Sequence, residues 1–296
     1  MQTLRGDCFI RKHSVPFIIR KVVTMYSSLL VIFGFSVLCT ASGYGSRNYQ
    51  ERMVPMQEQD SPGSRIIGGA QTGIEEYPFA VSLQNNGTFF GHEVEHFCGG
   101  SIIGEKWIIT SAQCALRIRV KGFHVRAGTS HYYENGEIFR VKSVTIHPAF
   151  NENIYDYDVG LIELADSIKY DSTKQSIKLP QSHSMIEDGV QVQVLGWGAS
   201  RLLGPVSEEL LRSTMQKINS ENCQQASGGD VLTNRMFCAL SNGAGPCVGD
   251  SGSPLIFENM LFGITSWSRS CSSEYPTAFT AISEVKDWIT DVTGIA

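Results

Sequence analysis

Hydrophobic and polar positions follow three different patterns along the chain. Leu29–Cys39 reads LLVIFGFSVLC, an uncharged apolar run preceded by Arg11, Lys12, Arg20 and Lys21 and followed by Thr40, Ala41, Ser42 and Gly43. Basic flank, apolar centre and small-residue exit predict a secretory signal over 1–42. The run is shorter than the roughly 20 residues of a spanning helix, which leaves a retained signal anchor as the alternative. Initiation at Met1 or at Met25 stays open. Residues 43–65 are polar, rich in Gln, Glu, Ser, Pro and Gly and free of cysteine, as a flexible pro-segment would be.

From Ile66 onward, short apolar runs alternate with turn residues. Phe79–Leu83, Trp107–Thr110, Ile138–Val144, Val190–Leu195 and Leu255–Ile256 are rich in Val, Ile, Phe and Thr and bounded by Gly, Asn, Ser and Pro. That pattern predicts an all-β domain of barrel or sandwich type over 66–296. A helix is expected only at the end, where Ser283 can cap a run that places Val285, Trp288, Ile289 and Val292 on one face.

Composition narrows the function classes. The 296 residues carry a formal net charge of −5, so there is no basic footprint for nucleic acid. Of eight cysteines, Cys8 and Cys39 lie in the leader, and Cys98, Cys114, Cys223, Cys238, Cys247 and Cys271 lie in the body. None has metal-ligand spacing. Six body cysteines behind a signal predict three disulfides formed in an oxidising, extracellular compartment. No metal and no cofactor are implied. Asn86-Gly87-Thr88 is a glycosylation sequon, and Arg5-Gly6-Asp7, an integrin-type tripeptide upstream of the signal, is read as chance.

Seven segments carry more specific information. They are Arg65-Ile-Ile-Gly-Gly69, His96-Phe-Cys-Gly-Gly-Ser101, Trp107-Ile-Ile-Thr-Ser-Ala-Gln-Cys114, Asp158-Val-Gly-Leu-Ile162, Gly196-Trp-Gly198, Gly249-Asp-Ser-Gly252 and Ser266-Trp267. In this order and spacing they resemble the chymotrypsin/trypsin family of serine proteases over 66–296. The resemblance implies two packed six-stranded antiparallel β-barrels with the site in the cleft between them. It pairs Cys98 with Cys114, Cys223 with Cys238, and Cys247 with Cys271. A further family disulfide would need cysteines near Val192 and Phe257, and both are absent together.

Carried onto this chain, the family pattern makes Arg65-Ile66 the activation site, cut by a trypsin-like protease. The freed Ile66 ammonium would then pair with Asp250. Ser251 takes the nucleophile's place, the N–H groups of Gly249 and Ser251 form the oxyanion hole, Asp158 is the orienting carboxylate and Ser266 supports it. The pattern breaks at the general base. Cys114 fixes the register, and Gln113 stands where the family has histidine. A carboxamide can donate to Asp158 and accept from Ser251, yet it does not titrate near neutrality. Losing a triad member costs roughly 10⁴–10⁶ in turnover, or about 5–8 kcal/mol of barrier. His92, His96, His124, His131, His147 and His183 have no motif-based claim to the cleft.

Gly245 falls at the base of the specificity pocket, where trypsins place Asp, and Ser268 and Thr277 fall on its walls. These residues imply small or medium apolar side chains rather than Arg or Lys. Ser253 replaces the second Gly of the usual Gly-Asp-Ser-Gly-Gly run. Glu134, Asn135 and Glu137 lie where some relatives bind calcium, and no metal is assigned to them. The expected function is a secreted, activatable serine-protease homologue. It would act by binding partners in an extracellular protease cascade, with no nucleic-acid partner and no membrane attachment after signal removal. The alternatives are an active endopeptidase that cleaves peptides after apolar residues, and a toxin-like or anticoagulant ligand that uses surface loops.

Overall fold

In the computed structural model the described residues are 69–296, except 90, 91, 119–121, 201–203, 242, 244 and 273, and the side chains of 87–94 are also not described. The leader, the pro-segment and Arg65-Ile66 lie outside them, as do Cys8 and Cys39.

The first barrel is built from β2 (Ala80–Phe89), β3 (His92–Gly104), β4 (Trp107–Thr110), β5 (Phe123–Ala127), β6 (Glu137–Ile146) and β7 (Gly160–Leu164). The antiparallel ring runs β2-β3-β4-β7-β6-β5 and closes on β2. Period-two patterning explains it. On β6, Phe139 and Val141 point inward while Arg140 and Lys142 face water. Ile102, Ile108, Ile109, Leu161, Ile162 and Leu164 fill the interior without exposure.

The second barrel comprises β8 (Gln191–Gly196), β9 (Leu211–Ile218), β10 (Met236–Ser241), β11 (Pro254–Phe257), β12 (Met260–Ser268) and β13 (Thr277–Ala281), with β1 (Ala70–Gln71) on the edge of β9. Its ring is β8-β9-β10-β13-β12-β11, and the β11–β8 ladder closes it. Glu258 and Asn259 make the two-residue β11–β12 turn with φ of 49° and 59°, the left-handed geometry of a tight hairpin. The two six-stranded antiparallel barrels are those expected from the sequence. Val192 and Phe257, the positions of the missing disulfide, belong to one apolar cluster with Leu255, Phe262 and Phe279.

Helix content exceeds the expectation. Besides the C-terminal α3 (Ile282–Thr293), short helices α1 (Ala112–Ala115) and α2 (Ser220–Ala226) are present. Each has a polar N-cap: Ser111 Oγ accepts from Cys114 N, and Asn219 Oδ1 accepts from Asn222 N. In α3 the cap is Ala281, without a side-chain bond. Ser283 therefore sits inside the first turn rather than capping it. The apolar face does hold, since Val285 and Ile289 are buried and Trp288 and Val292 pack against the core.

All three expected disulfides are present. Cys98–Cys114 ties β3 to α1, Cys223–Cys238 ties α2 to β10, and Cys247–Cys271 ties the turn before Ser251 to the loop after β12. Each contributes about 2–4 kcal/mol, in the loop-entropy account by restricting the unfolded chain.

Candidate active site

α1 is a single capped turn leaving β4, and it points Gln113 at Asp158, which precedes β7 and is fully buried. Asp158 is surrounded by donors. Oδ1 accepts from Gln113 N at 2.9 Å, and Oδ2 accepts from Gln113 Nε2 at 2.8 Å and from Ser266 Oγ at 2.6 Å. Its carbonyl accepts from Thr280 Oγ1 at 2.9 Å. Burial pushes the Asp158 carboxyl above its ordinary range, against the pull of the bonds from Ser266 and Gln113.

The second N–H of Gln113 donates to Ser266 O at 2.7 Å. Both amide hydrogens are thereby occupied, so the orientation of the carboxamide is fixed, with Nε2 toward Asp158 and Oε1 turned away. The donation to Asp158 expected from the sequence is present. The expected acceptance from Ser251 is not among the hydrogen bonds of the described residues.

Ser251 sits in a turn whose flanking Gly249 and Gly252 have φ of 100° and 81°, which residues with a Cβ rarely adopt. A Cβ on Gly252 would also lie 2.1 Å from Thr110 Oγ1. The carbonyls of this turn are pinned: Val248 O by Ala199 N at 2.8 Å, Ser251 O by Gly99 N at 2.9 Å and Gly249 O by His96 Nε2 at 3.0 Å. The N–H groups of Gly249 and Ser251 donate to no backbone carbonyl among the described residues. The Oγ of Ser253 fits because Gly99 is opposite it, where a Cβ would stand 2.0 Å away.

Asp250 is buried and accepts from Gly198 N at 2.8 Å and Cys247 N at 2.9 Å. Burial lifts its carboxyl to about 6, against those two bonds. Its cradle is the Gly196-Trp-Gly198 segment. A Cβ on Gly196 would be 1.9 Å from Oδ1, and one on Gly198 would be 2.1 Å from Oδ2. Sequence reading used these glycines as a landmark and missed this role; their spacing around Trp197 was the available signal.

Gly245 and Thr277 come together, with a Cβ on Gly245 placed 3.4 Å from Thr277 Oγ1, 3.6 Å from Met215 Cε and 3.9 Å from Ser241 Oγ. Ser268 pairs with Thr277 in the β12–β13 ladder, but its hydroxyl donates into its own loop, to Ser270 O and Pro276 O. Met215 and Ser241 were not anticipated, since they reach this place through β9 and β10.

Other histidines have partners elsewhere. His124 meets Gln84, His131 lies between Glu134 and Glu209, His147 stacks on Tyr157, and His183 meets Glu284. In the loop with Glu134, Asn135 and Glu137, Lys174 Nζ approaches Glu137 at 3.5 Å and Asp171 at 2.7 Å. No group of three His, Cys, Asp or Glu side chains able to hold a metal occurs among the described residues. Asn86 is exposed on β2. Among the described residues no helix is long and apolar enough to cross a membrane.

The Trypsin family pattern matches residues 66–289. The chain is 36% identical over 236 residues to Trypsin 5G1 of Aedes aegypti, covering 78% of this chain and 86% of the relative. It is 34% identical over 245 residues to a trypsin of Phaedon cochleariae, covering 81% and 92%. Hypodermin-B of Hypoderma lineatum is 35% identical over 231 residues, covering 77% and 87%. With both six-stranded barrels and the three disulfides in place, this chain belongs to the trypsin family of serine proteases.

Proposed function

We propose that this chain is a secreted serine-protease homologue, activated by cleavage after Arg65, that works chiefly by binding in an extracellular protease cascade. One observation carries the reading: the amide of Gln113 fills the base position, with both N–H groups held by Asp158 Oδ2 and Ser266 O. Proteolysis by serine needs a group that takes the Ser251 proton and returns it to the leaving amine. A carboxamide held this way preserves the shape of the site without that capacity. In this reading Ser251 and the N–H groups of Gly249 and Ser251 would seat a peptide carbonyl, and Asp158 would hold Gln113 beside them. Background turnover from such an oxyanion site is on the order of 10³–10⁴ over water.

The occupants would be peptide segments, or protein loops shaped like substrates, with small or medium apolar side chains over Gly245. An activating trypsin-like protease is the implied processing partner. An active endopeptidase with apolar preference is the second reading, favoured by the intact Asp158–Ser266 support. The experiment is cleavage after Arg65, confirmation of the Ile66 terminus, and assay on a broad peptide library beside Gln113→His. Silence in the native protein with cleavage by the variant supports the binding reading. Native turnover abolished by Ser251→Ala overturns it.

A further inference from the structure

Each carbonyl of the 247–251 turn that accepts a backbone N–H has a rigid local partner. Cys247 O takes Asp250 N, Val248 O takes Ala199 N, Asp250 O takes Ser253 N and Ser251 O takes Gly99 N. Gly249 O differs, because it is held by a side chain, His96 Nε2. The Gly249–Asp250 peptide is thus anchored at its N–H by Cys247 O and at its carbonyl by His96, and the carbonyl anchor depends on what holds His96.

That support can be followed outward. His96 Nδ1 is 2.8 Å from Ser82 Oγ, Ser82 Oγ is 2.9 Å from Gln84 Nε2, and Gln84 Oε1 is 3.2 Å from Arg126 Nε and 3.0 Å from His124 Nε2. Gln84 Nε2 also donates to Tyr132 O, and the Arg126 guanidinium donates to Asn135 O. Ser82, Gln84, His96, His124 and Arg126 are all buried. The bulge between Leu83 and Gln84, where β2 meets β3, brings Gln84 level with His96.

The direction of every bond is fixed by chemistry. Arginine only donates and a carbonyl only accepts, so Gln84 must present its oxygen to Arg126 and its N–H groups to Tyr132 O and Ser82. Ser82, already an acceptor, gives its own hydrogen to His96 Nδ1. His96 is then the neutral tautomer with its proton on Nε2, donating to Gly249 O. Four donations point one way, from a guanidinium under the 132–135 loop to the peptide beside the oxyanion N–H groups. Such chains polarise one another, and an unmade member is costly.

We propose that Gln84 and Arg126 are positioning residues for the Gly249–Asp250 peptide, and that the 132–135 loop is a place from which the cleft can be modulated. The positioning claim stands on the hydrogen bonds, and its bearing on the oxyanion rests on the proposed role of Gly249 and Ser251.

The test uses the cleaved, disulfide-intact protein, ¹⁵N-labelled. Gln84→Glu keeps the acceptors for Arg126 and His124 and removes the donor to Ser82. Arg126→Gln and Ser82→Ala break the chain at other points, should Gln84→Glu fail to fold. The readouts are exchange of the Asp250 N–H, which shares its peptide with Gly249 O, and the ¹⁵N shifts that report the His96 tautomer. The expected result is at least tenfold faster Asp250 exchange in Gln84→Glu with loss of the single tautomer, and a several-fold change of the same sign in Arg126→Gln. Gly252 N–H, bonded to Thr265 O, should not move. Unchanged Asp250 exchange in both variants, with a response only to His96→Gln, would overturn the proposal. Binding of a peptide aldehyde with an apolar terminal residue separates the two layers: weakening together with faster exchange supports the link to the oxyanion, and faster exchange without weakening removes that link alone.

Discussion

Gln113 Nε2 lies 2.8 Å from Asp158 Oδ2, and its other hydrogen reaches Ser266 O at 2.7 Å. The carboxamide thus bridges the two barrels, joining α1 of the first to β12 of the second. Gln113→Ala would leave the buried Asp158 with one donor fewer and should cost about 1–3 kcal/mol, read by urea unfolding. A variant as stable as the native protein would show that the bridge is dispensable. Gln113→His should raise peptide turnover by at least about 10³-fold.

Two buried groups make opposite demands on pH. In the uncleaved chain, kept so by Arg65→Gln, Asp250 titrates near 6 because burial opposes its charge. Folded, it retains a proton that the unfolded chain releases, so its contribution to stability falls as pH rises from about 4 to 6. His96 is pushed down to about 4, chiefly by burial. The unfolded chain takes up a proton that the folded one refuses, so the His96 contribution rises from about pH 4 to 6.5. Each shift is on the order of 3 kcal/mol. Relative to that parent, Asp250→Asn should gain stability over this window as pH rises, and His96→Gln should lose it. Unfolding titrations at several pH values would check both signs.

Gly245→Asp tests the pocket assignment without requiring catalysis. The added Cβ meets Thr277 Oγ1 at 3.4 Å, an ordinary contact, and the carboxylate would stand beside the hydroxyls of Thr277 and Ser241. Benzamidine should bind the cleaved variant, and the native protein should not respond in the same calorimetric titration. No binding to the variant would mean that the pocket base lies elsewhere.

Gly198→Ala places a methyl 2.1 Å from Asp250 Oδ2, so the carboxylate has to shift away from the N–H groups of Gly198 and Cys247 that hold it. Destabilisation of about 1–3 kcal/mol or more is expected from such overpacking, together with slower activation after cleavage at Arg65. Thermal melting and the time course of Ile66 burial, read from loss of its reactivity to amine reagents, would measure the two effects.

The barrels were legible because period-two patterning on β6 and the short β-rich apolar runs of β4 and β8 are strong local signals. α1 and α2 were not, because four and seven residues are too few for a helical period; only the caps Ser111 and Asn219 marked them. Ser283 was misread as a cap because the β13 strand runs directly into α3. The family motifs pointed to Gln113, Asp158 and Ser266, which hydrogen bonds join in the structure. The roles of Gly196 and Gly198 and the Gln84–Arg126 relay depend on which strands of a closed ring become neighbours, which spacing along the chain does not encode.

Where relatives can carry a covalent tie, this chain has Val192 and Phe257 in apolar packing. The β8–β11 seam there consists of the pairs Leu255–Val194 and Ile256–Gln193. That seam closes the second barrel through a backbone hydrogen-bond ladder backed by apolar packing, with no covalent bond across it. A reductant therefore has no bond to cut at this edge, and it reaches the second barrel only through Cys223–Cys238 and Cys247–Cys271.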